Sequence, residues 1–552
     1  MIGVAVQAKE RDIVTEFFEL FKTSWEFYRD DGQYDVVLTT SDNLCNNKTR
    51  LLLIFGAEVL PADGQRRMVT KSRSGGVLVS DEGKRLPIYG AFATFPGSPP
   101  SLLKEELTQE PAAVVSQRDE TTTLRVGYNP FTEARFLLTV GQPAANAEIP
   151  TLEEHIGWLR DWITIAGIPS VEIPPVPAGY NFIGCLTHDI DHPALRNHWC
   201  DHTMFGFLYR STIGTLFNVC RGRKPIKSLW RNWQAAWQLP FVHLGIADDC
   251  WAGFDRYLEI EEGHGATFFV IPRKDYAGRT VNGAASSKRA CQYNLDQLRP
   301  KLRRIISMGG EVGVHGIDAW LDVDAGRQEH ERVSQAIGTT ELGVRMHWLF
   351  FNESSAVILD QAGFSYDTSV GYRETIGYRA GTTQAYRPPA VTKLLELPLH
   401  VMDTALFNPS YLDFSEEQAE RSILGLLDKA ERFGGALTIN WHDRSIAPER
   451  LWDDFYLKLL GELERRQAWL PNAALAVAWF RKRRSAAIKW SWSGSRSIRV
   501  WGCLETADKL PGLRVRVFKP RSRSLTEPAD ARKPTEFVEK IITQTTDLEF
   551  AL

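Results

Sequence analysis

The sequence predicts an α/β protein built on a (β/α) barrel, closed or nearly closed, with a mixed α/β region before it and a small β-rich region after it. Three observations predict this. Short β-branched and aromatic runs alternate with helix-like stretches over ~300 residues, the rhythm of a largely parallel sheet with helices outside it. Polar, titratable residues recur where those runs end. The alternation also stops abruptly, at a proline-rich stretch on one side and a basic stretch on the other.

Taken in order, RDIVTEFFELFKTSWEFYRD (11–30) repeats apolar residues at helical spacing and predicts a helix, followed by strands at 34–40 and 51–55. TLEEHIGWLRDWITIAG (151–167) predicts a second helix, with Thr151 and Glu154 at capping-box spacing and a glycine at its end. Residues 168–179 carry four prolines and read as an extended linker. The barrel strands are then predicted at 181–187, 266–271, 311–315, 394–399 and 436–441, with helices at 248–263, 294–309, 353–363 and 415–434. Beyond RKRRSAAIKW (481–490) come short alternating runs and a Pro/Arg/Ser-rich segment near 519–535, expected as a mobile loop. The expected domains are therefore an accessory domain over 1–175, the barrel over 176–485 and the appendage over 486–552.

Composition excludes several classes. With 552 residues, 43% apolar and 24% charged, the chain has ample core and is neither disordered nor collagen-like. A formal charge of −3 gives no electrostatic footprint for nucleic acid or an anionic membrane. Seven cysteines without a CxxC pair argue against a disulfide framework and read as reduced thiols. The first residues lack a basic stretch followed by a long apolar one, and no segment approaches the ~20 apolar residues of a membrane span. A cytoplasmic protein is expected.

The densest chemistry is THDIDH (187–192), at the end of the first barrel strand. As HDxxH on a helix, His188 and His192 would share a metal. Pro193 and the strand-like residues before the motif oppose that helix. In strand geometry Asp189 and Asp191 share a face, so one carboxylate can hold a divalent cation while the other acts as base. His315 ends the apolar run EVGVH, Arg345 and His347 sit two apart within GVRMHWLFF, and His442 follows LTINW. Any one of these is an ordinary turn residue; four strand ends of one barrel presenting them together point to a site.

These motifs, in this order, resemble the polysaccharide deacetylase family, the NodB-homology carbohydrate esterases. The matching landmarks are THDID (187–191), ATFFV (266–270), EVGVH (311–315), Arg345 with LDQAGFSYDTSV (359–370), and LTINWH (437–442). The run FSYDTSVGYRETIGYRAGTTQAYRP is similar to a divergent subgroup found among bacterial surface-polysaccharide proteins, and the resemblance spans roughly residues 180 to 480. It implies a distorted (β/α) barrel and a metal-dependent hydrolase of carbon–nitrogen bonds that removes N-acetyl groups from amino sugars, in surface or exopolysaccharide metabolism. It makes Asp189 the catalytic base, Asp191 and His315 metal ligands, Arg345 the partner of Asp189, and His442 the general acid. The cofactor implied is a divalent ion, zinc first, with cobalt or manganese as alternatives. The partner implied is an N-acetylated carbohydrate, with no nucleic acid and no membrane span.

One position departs from the family pattern. A second histidine is expected four residues after His315, where this chain has Ala319. Either another side chain completes the site, the metal is held weakly by two ligands, or catalysis has been lost. The candidates are His347, favoured because it lies two residues from Arg345, then His188, His192 and Asp318. Trp320, Trp348 and Trp441 flank the motifs and are candidates to stack on a sugar ring. Two other readings stand beside the deacetylase: a catalytically impaired carbohydrate-binding relative, and a metal-dependent hydrolase of a small linear amide.

Overall fold

The computed structural model describes the chain except residues 42–48, 66–67, 81, 99–100, 119, 223–224, 451, 495–496, 504–508 and 522–535. Most of the loop expected near 519–535 therefore lies outside the described residues. The chain forms two compact units. One comprises residues 1–179, 380–390 and 479–552; the other comprises 180–379 and 391–478.

The first unit is organised by a nine-stranded sheet. Five parallel strands, Trp25–Phe27, Ile2–Ala5, Val36–Thr39, Leu51–Phe55 and Thr121–Val126, continue into four antiparallel ones ending at Arg85–Thr94. The helix predicted over 11–30 stops at Phe21, where Lys22 takes a left-handed φ of 51°, and Trp25–Phe27 becomes a strand. The β-branched and aromatic residues there favour the sheet edge over another helical turn. The second helix runs from Thr151 to Ile165, but Thr151 is its first residue rather than its cap, and its hydroxyl donates to Gln142 at 2.6 Å. Residues 486–552, expected as a separate appendage, share this unit. Strand Leu513–Phe518 pairs with Ser170–Glu172 inside the proline-rich stretch, so that stretch is partly sheet.

Among the described residues, the second unit's parallel sheet runs through eight strands, β1 (Phe182–Ile190), β2 (Ala266–Val270), β3 (Glu311–Gly316), β4 (Gly343–Met346), β5 (Tyr366–Asp367), β6 (Leu395–Glu396), β7 (Val401–Met402) and β8 (Ala436–Asn440), with a ninth, Ala468–Trp469, pairing with the start of β1. Their order is β6-β5-β4-β3-β2-β1-β8-β7, curled into an incompletely closed barrel. β1 is buried along its whole length, as a parallel strand covered on both faces must be. The run predicted as a strand at 394–399 keeps only β6, and β7 begins just beyond it. Pro398 has no N–H for a ladder, and on either side of it the chain pairs with β5 through β6 and with β8 through β7. One extended segment thus ties the two edges of the sheet together.

Helices Leu295–Ser307, Ser355–Ala362 and Glu416–Phe433 lie within the predicted ranges; the last is capped by Ser415, whose hydroxyl accepts from Gln418. The alternation did not predict the helices inserted between β1 and β2. His202–Tyr209 continues through 210–214 into Thr215–Cys220, and Lys227–His243 follows. Among the described residues, no helix is long and apolar enough to cross a membrane, and Cys185, Cys200, Cys220, Cys250 and Cys291 are free thiols.

Candidate metal centre and active site

Every titratable motif of the barrel sits at the C-terminal end of a strand, where a parallel barrel builds its sites. Asp189 belongs to the last turn of the β1 pleat and Asp191 lies just past it. His315 on β3 is in register with Arg345 on β4, and His347 follows β4 directly. Asn440 ends β8 with His442 two residues on, and Asp403 follows β7.

Three donor atoms converge. One ligand atom each from Asp191, His315 and His347 lies within 4.8 Å of the others. Asp191 Oδ1 is 3.3 Å from His347 Nδ1 and 3.4 Å from His315 Nε2, and the two imidazole nitrogens are 2.8 Å apart. Two of these separations match the edge of a tetrahedron around a zinc-sized ion, about 3.3 Å for bonds of ~2.0–2.1 Å, and the third needs to open by about 0.5 Å. Asp191 Oδ1 is buried and accepts no hydrogen bond, a costly state for a carboxylate unless a cation satisfies it. His315 Nδ1 donates to the Arg345 carbonyl at 3.0 Å, which leaves Nε2 as the lone pair facing the cluster. Burial pushes the Asp191 carboxyl up, but His347 and His315 beside it outweigh that and hold it well below the carboxylate range. Burial lowers His347 to about 4 despite Asp191. An ionised carboxylate and a neutral imidazole are the donor states a divalent cation requires. The residues present therefore fit a metal.

Beside this cluster, Asp189 accepts from Arg345 Nη1 at 3.0 Å and from Asn440 Nδ2 at 2.7 Å. Burial acts against its charge, yet His315, Arg345 and His442 together keep its pKa below the ordinary value. The Arg345 guanidinium is fully buried, also donates to Thr187 Oγ1 and the Thr368 carbonyl, and lies 4.7 Å above the Phe269 ring. Gly313 makes room for that ring, since a Cβ there would sit 2.6 Å from it.

On the other side, His442 Nδ1 is 2.6 Å from Asp403 Oδ1, and the His442 backbone N–H donates to Asp403 Oδ2 at 2.7 Å. Ser445 also donates to that carboxylate. Burial alone would lower the imidazole, but Asp403, with Asp191 and Asp189 further off, raises it to about 9. His442 is thus cationic at neutral pH.

The other ligand candidates point elsewhere. His188 bonds the Trp441 carbonyl and Glu261 from the opposite face of β1 and packs against Tyr257 and Phe268. His192 pairs with His198, and Asp318 is taken by Tyr276 and Arg279. Ala319 is fully buried and its methyl group offers no donor, while His347 reaches the cluster from the neighbouring strand.

Of the three tryptophans, Trp441 is fully buried against Phe455 and Tyr456, and Trp320 is buried against Phe350. Neither offers a face to a sugar. Only Trp348, half-buried beside His347, remains accessible; it and Leu349 have left-handed φ of 63° and 52°, unusual for bulky residues and a mark of a constrained turn. Arg289 fixes that turn. Its buried guanidinium donates to the carbonyls of His347 and Ile317, each at 2.9 Å.

Sequence reasoning missed Asp403, Asn440 and Arg289. Asn440 had a signal, since it shares a strand face with His442. Asp403, set by the two-residue strand β7 at the start of helix Asp403–Phe407, and Arg289, at the end of a single 3-10 turn, had none.

Fold and site define a parallel (β/α) barrel with a metal-competent Asp-His-His cluster between an Arg-bound carboxylate and an Asp-bound imidazolium. No family model and no curated protein matches the chain. Among solved structures, a candidate polysaccharide deacetylase from Mycobacterium smegmatis shares 18% identity, covering 56% of this chain and 94% of its own, at a TM-score of 0.33. Puue allantoinase shares 13%, covering 56% and 93%, at 0.33. A candidate polysaccharide deacetylase involved in O-antigen biosynthesis from Bordetella bronchiseptica shares 13%, covering 55% and 92%, at 0.22. Likeness at this level carries no argument about chemistry, which rests on the side chains described above.

Proposed function

We propose that the barrel unit is a metal-dependent hydrolase that removes the acetyl group from an N-acetylated amino sugar of an oligo- or polysaccharide. The observation that carries it is the convergence of Asp191, His315 and His347 on one point, with Asp189 and His442 beside them. A divalent ion held by those three residues would supply Lewis acidity toward the amide carbonyl. Asp189, kept ionised and oriented by Arg345 and Asn440, accepts the proton of the attacking water. His442, kept protonated by Asp403, gives its proton to the departing sugar nitrogen, so that the tetrahedral intermediate expels amine instead of water. The half-buried Trp348, beside the ligand His347 and with the Arg373 guanidinium 5.4 Å over its ring, is the remaining candidate to meet a sugar ring. The substrate class comes from the resemblance of the ordered motifs to polysaccharide deacetylases.

The test is acetate release from a panel of N-acetylated glycans, before and after chelation and after refilling with zinc, cobalt or manganese. Loss on chelation and return on refilling are expected. Full turnover in metal-free protein would refute the reading, and metal binding without turnover on any glycan would favour the impaired carbohydrate-binding relative.

A further inference from the structure

We propose that the helical insert between β1 and β2 is an interfacial anchor that lays this unit on an anionic lipid bilayer. The proposed chemistry uses none of its residues. Helix Lys227–His243 carries a buried face and an exposed apolar stripe. Ser228, Asn232, Ala235, Leu239 and Val242 are buried at spacings of three and four. Trp230, Trp233, Trp237, Phe241 and, just past the helix end, Leu244 are exposed at the same spacings. At ~100° per residue the exposed stripe lies roughly opposite the buried face, so it faces outward. Trp230 and Trp237 are each 75% exposed.

The preceding helical stretch repeats the pattern. Its Met204 and Phe207 are buried in a cluster with Ala235, Leu239, Trp251 and Ala447, while Phe205, Tyr209, Ile213 and Phe217 are exposed. Asn232 donates to Thr215 across the pair at 2.8 Å. Two packed helices thus each present exposed apolar residues to solvent, far more than a surface normally leaves open without a partner.

Charge selects the partner. Among the described residues of 199–247 there are four Lys or Arg, of which Arg210 faces Glu449, against a single Asp, in a chain whose net charge is −3. Arg221, Lys227 and Arg231 are exposed alongside the stripes. Tryptophan and phenylalanine on one face with lysine and arginine beside them is the composition of a helix lying in the plane of an anionic bilayer, with aromatic rings at the headgroup level. A second copy of this chain would bring two cationic inserts face to face, and like charges oppose that. Exposed aliphatics at the ends, Ile226 at 76% and Ile246 at 74%, suit acyl chains and have no stacking role on a nucleic acid.

The experiment is flotation of the full-length protein with vesicles of phosphatidylcholine alone or mixed with phosphatidylglycerol, at low and high salt. It reads binding without turnover, so it stands or falls separately from the proposed chemistry. Binding to the anionic vesicles, weakened by salt and accompanied by a blue shift of tryptophan emission, is expected. The double variant Trp230→Ser/Trp237→Ser should lower the bound fraction about tenfold, and Lys227→Glu/Arg231→Glu should remove the preference for anionic lipid. Unchanged circular dichroism and metal content would show that these exposed substitutions leave the fold intact. The proposal is overturned by absence of flotation with anionic vesicles at low salt, or by equal flotation of the tryptophan variant. It is also overturned by a wild-type dimer that the same variant dissolves while neither protein binds vesicles.

Discussion

At the scale of single residues, the third metal ligand is the sharpest point. In the proposed chemistry His347, which closes the cluster with Asp191 and His315, is that ligand, since the fully buried Ala319 supplies no donor. His347→Ala should therefore lose bound metal by equilibrium dialysis. Ala319→His should gain no affinity and should lower stability by ~1–3 kcal/mol through overpacking, read by denaturant melts. Restored metal binding in the double variant would reverse this assignment. His442 gives a second test. Its pKa stands at about 9, above the ordinary 6.5, so its charge stabilises the fold fully below 6.5 and this is lost as pH rises through about 9. Asp189 is depressed, so the rate should form a bell whose acid limb lies below the ordinary carboxylate value and whose alkaline limb falls near 9. Asp403→Asn should move the alkaline limb down by about 1–3 pH units and leave the acid limb in place. An unmoved alkaline limb would show that another group sets it.

At the scale of elements, what the sequence revealed follows from how parallel strands are written. Buried on both faces, β1, β2, β3 and β8 read as continuous apolar runs, so their ends, and with them Asp189, Asp191, His315 and His442, could be located. The two-residue strands β5, β6 and β7 carry no periodicity, and Asp403, placed by β7, was invisible for that reason. The tryptophans misled because an aromatic beside a motif looks the same whether it faces a cleft or the core; Trp441 fills the space between β8 and helix Asp453–Arg465. The turn after β4 carries its own expectation. Arg289 clamps the carbonyls of His347 and Ile317, so Arg289→Met should weaken metal affinity ~10–100-fold through misplacement of His347. Arg289→Lys, which keeps one donor, should recover part of it. Equal metal titrations for wild type and Arg289→Met would show that the clamp does not position the ligand.

At the scale of the whole molecule, averages concealed what distribution shows. A net charge of −3 excluded a membrane footprint, although residues 199–247 are strongly cationic. A proline-rich stretch suggested a clean boundary, although the first unit gathers three separate pieces of chain. One of those pieces, 380–390, is held by Glu153, whose Oε1 accepts from the Thr382 hydroxyl at 2.6 Å and the Thr383 backbone N–H at 3.1 Å, while Oε2 is buried without a hydrogen bond. Burial pushes this carboxyl up to about 7 from its ordinary 4.5. Between those values the folded chain holds a proton that the unfolded chain has lost, so this group makes stability fall as pH rises from 4.5 to 7 and adds nothing further above it. Glu153→Gln cannot ionise, and its amide oxygen can still accept from Thr382 and Thr383. Its stability relative to wild type should therefore improve across that window by on the order of 2–3 kcal/mol and then level off, read from denaturant midpoints at pH 4, 5.5, 7 and 8. Other buried carboxyls titrate in both proteins and cancel in the difference. A difference that stays constant with pH would mean that Glu153 is ionised in the fold, with a cation at Oε2 that the described residues do not supply.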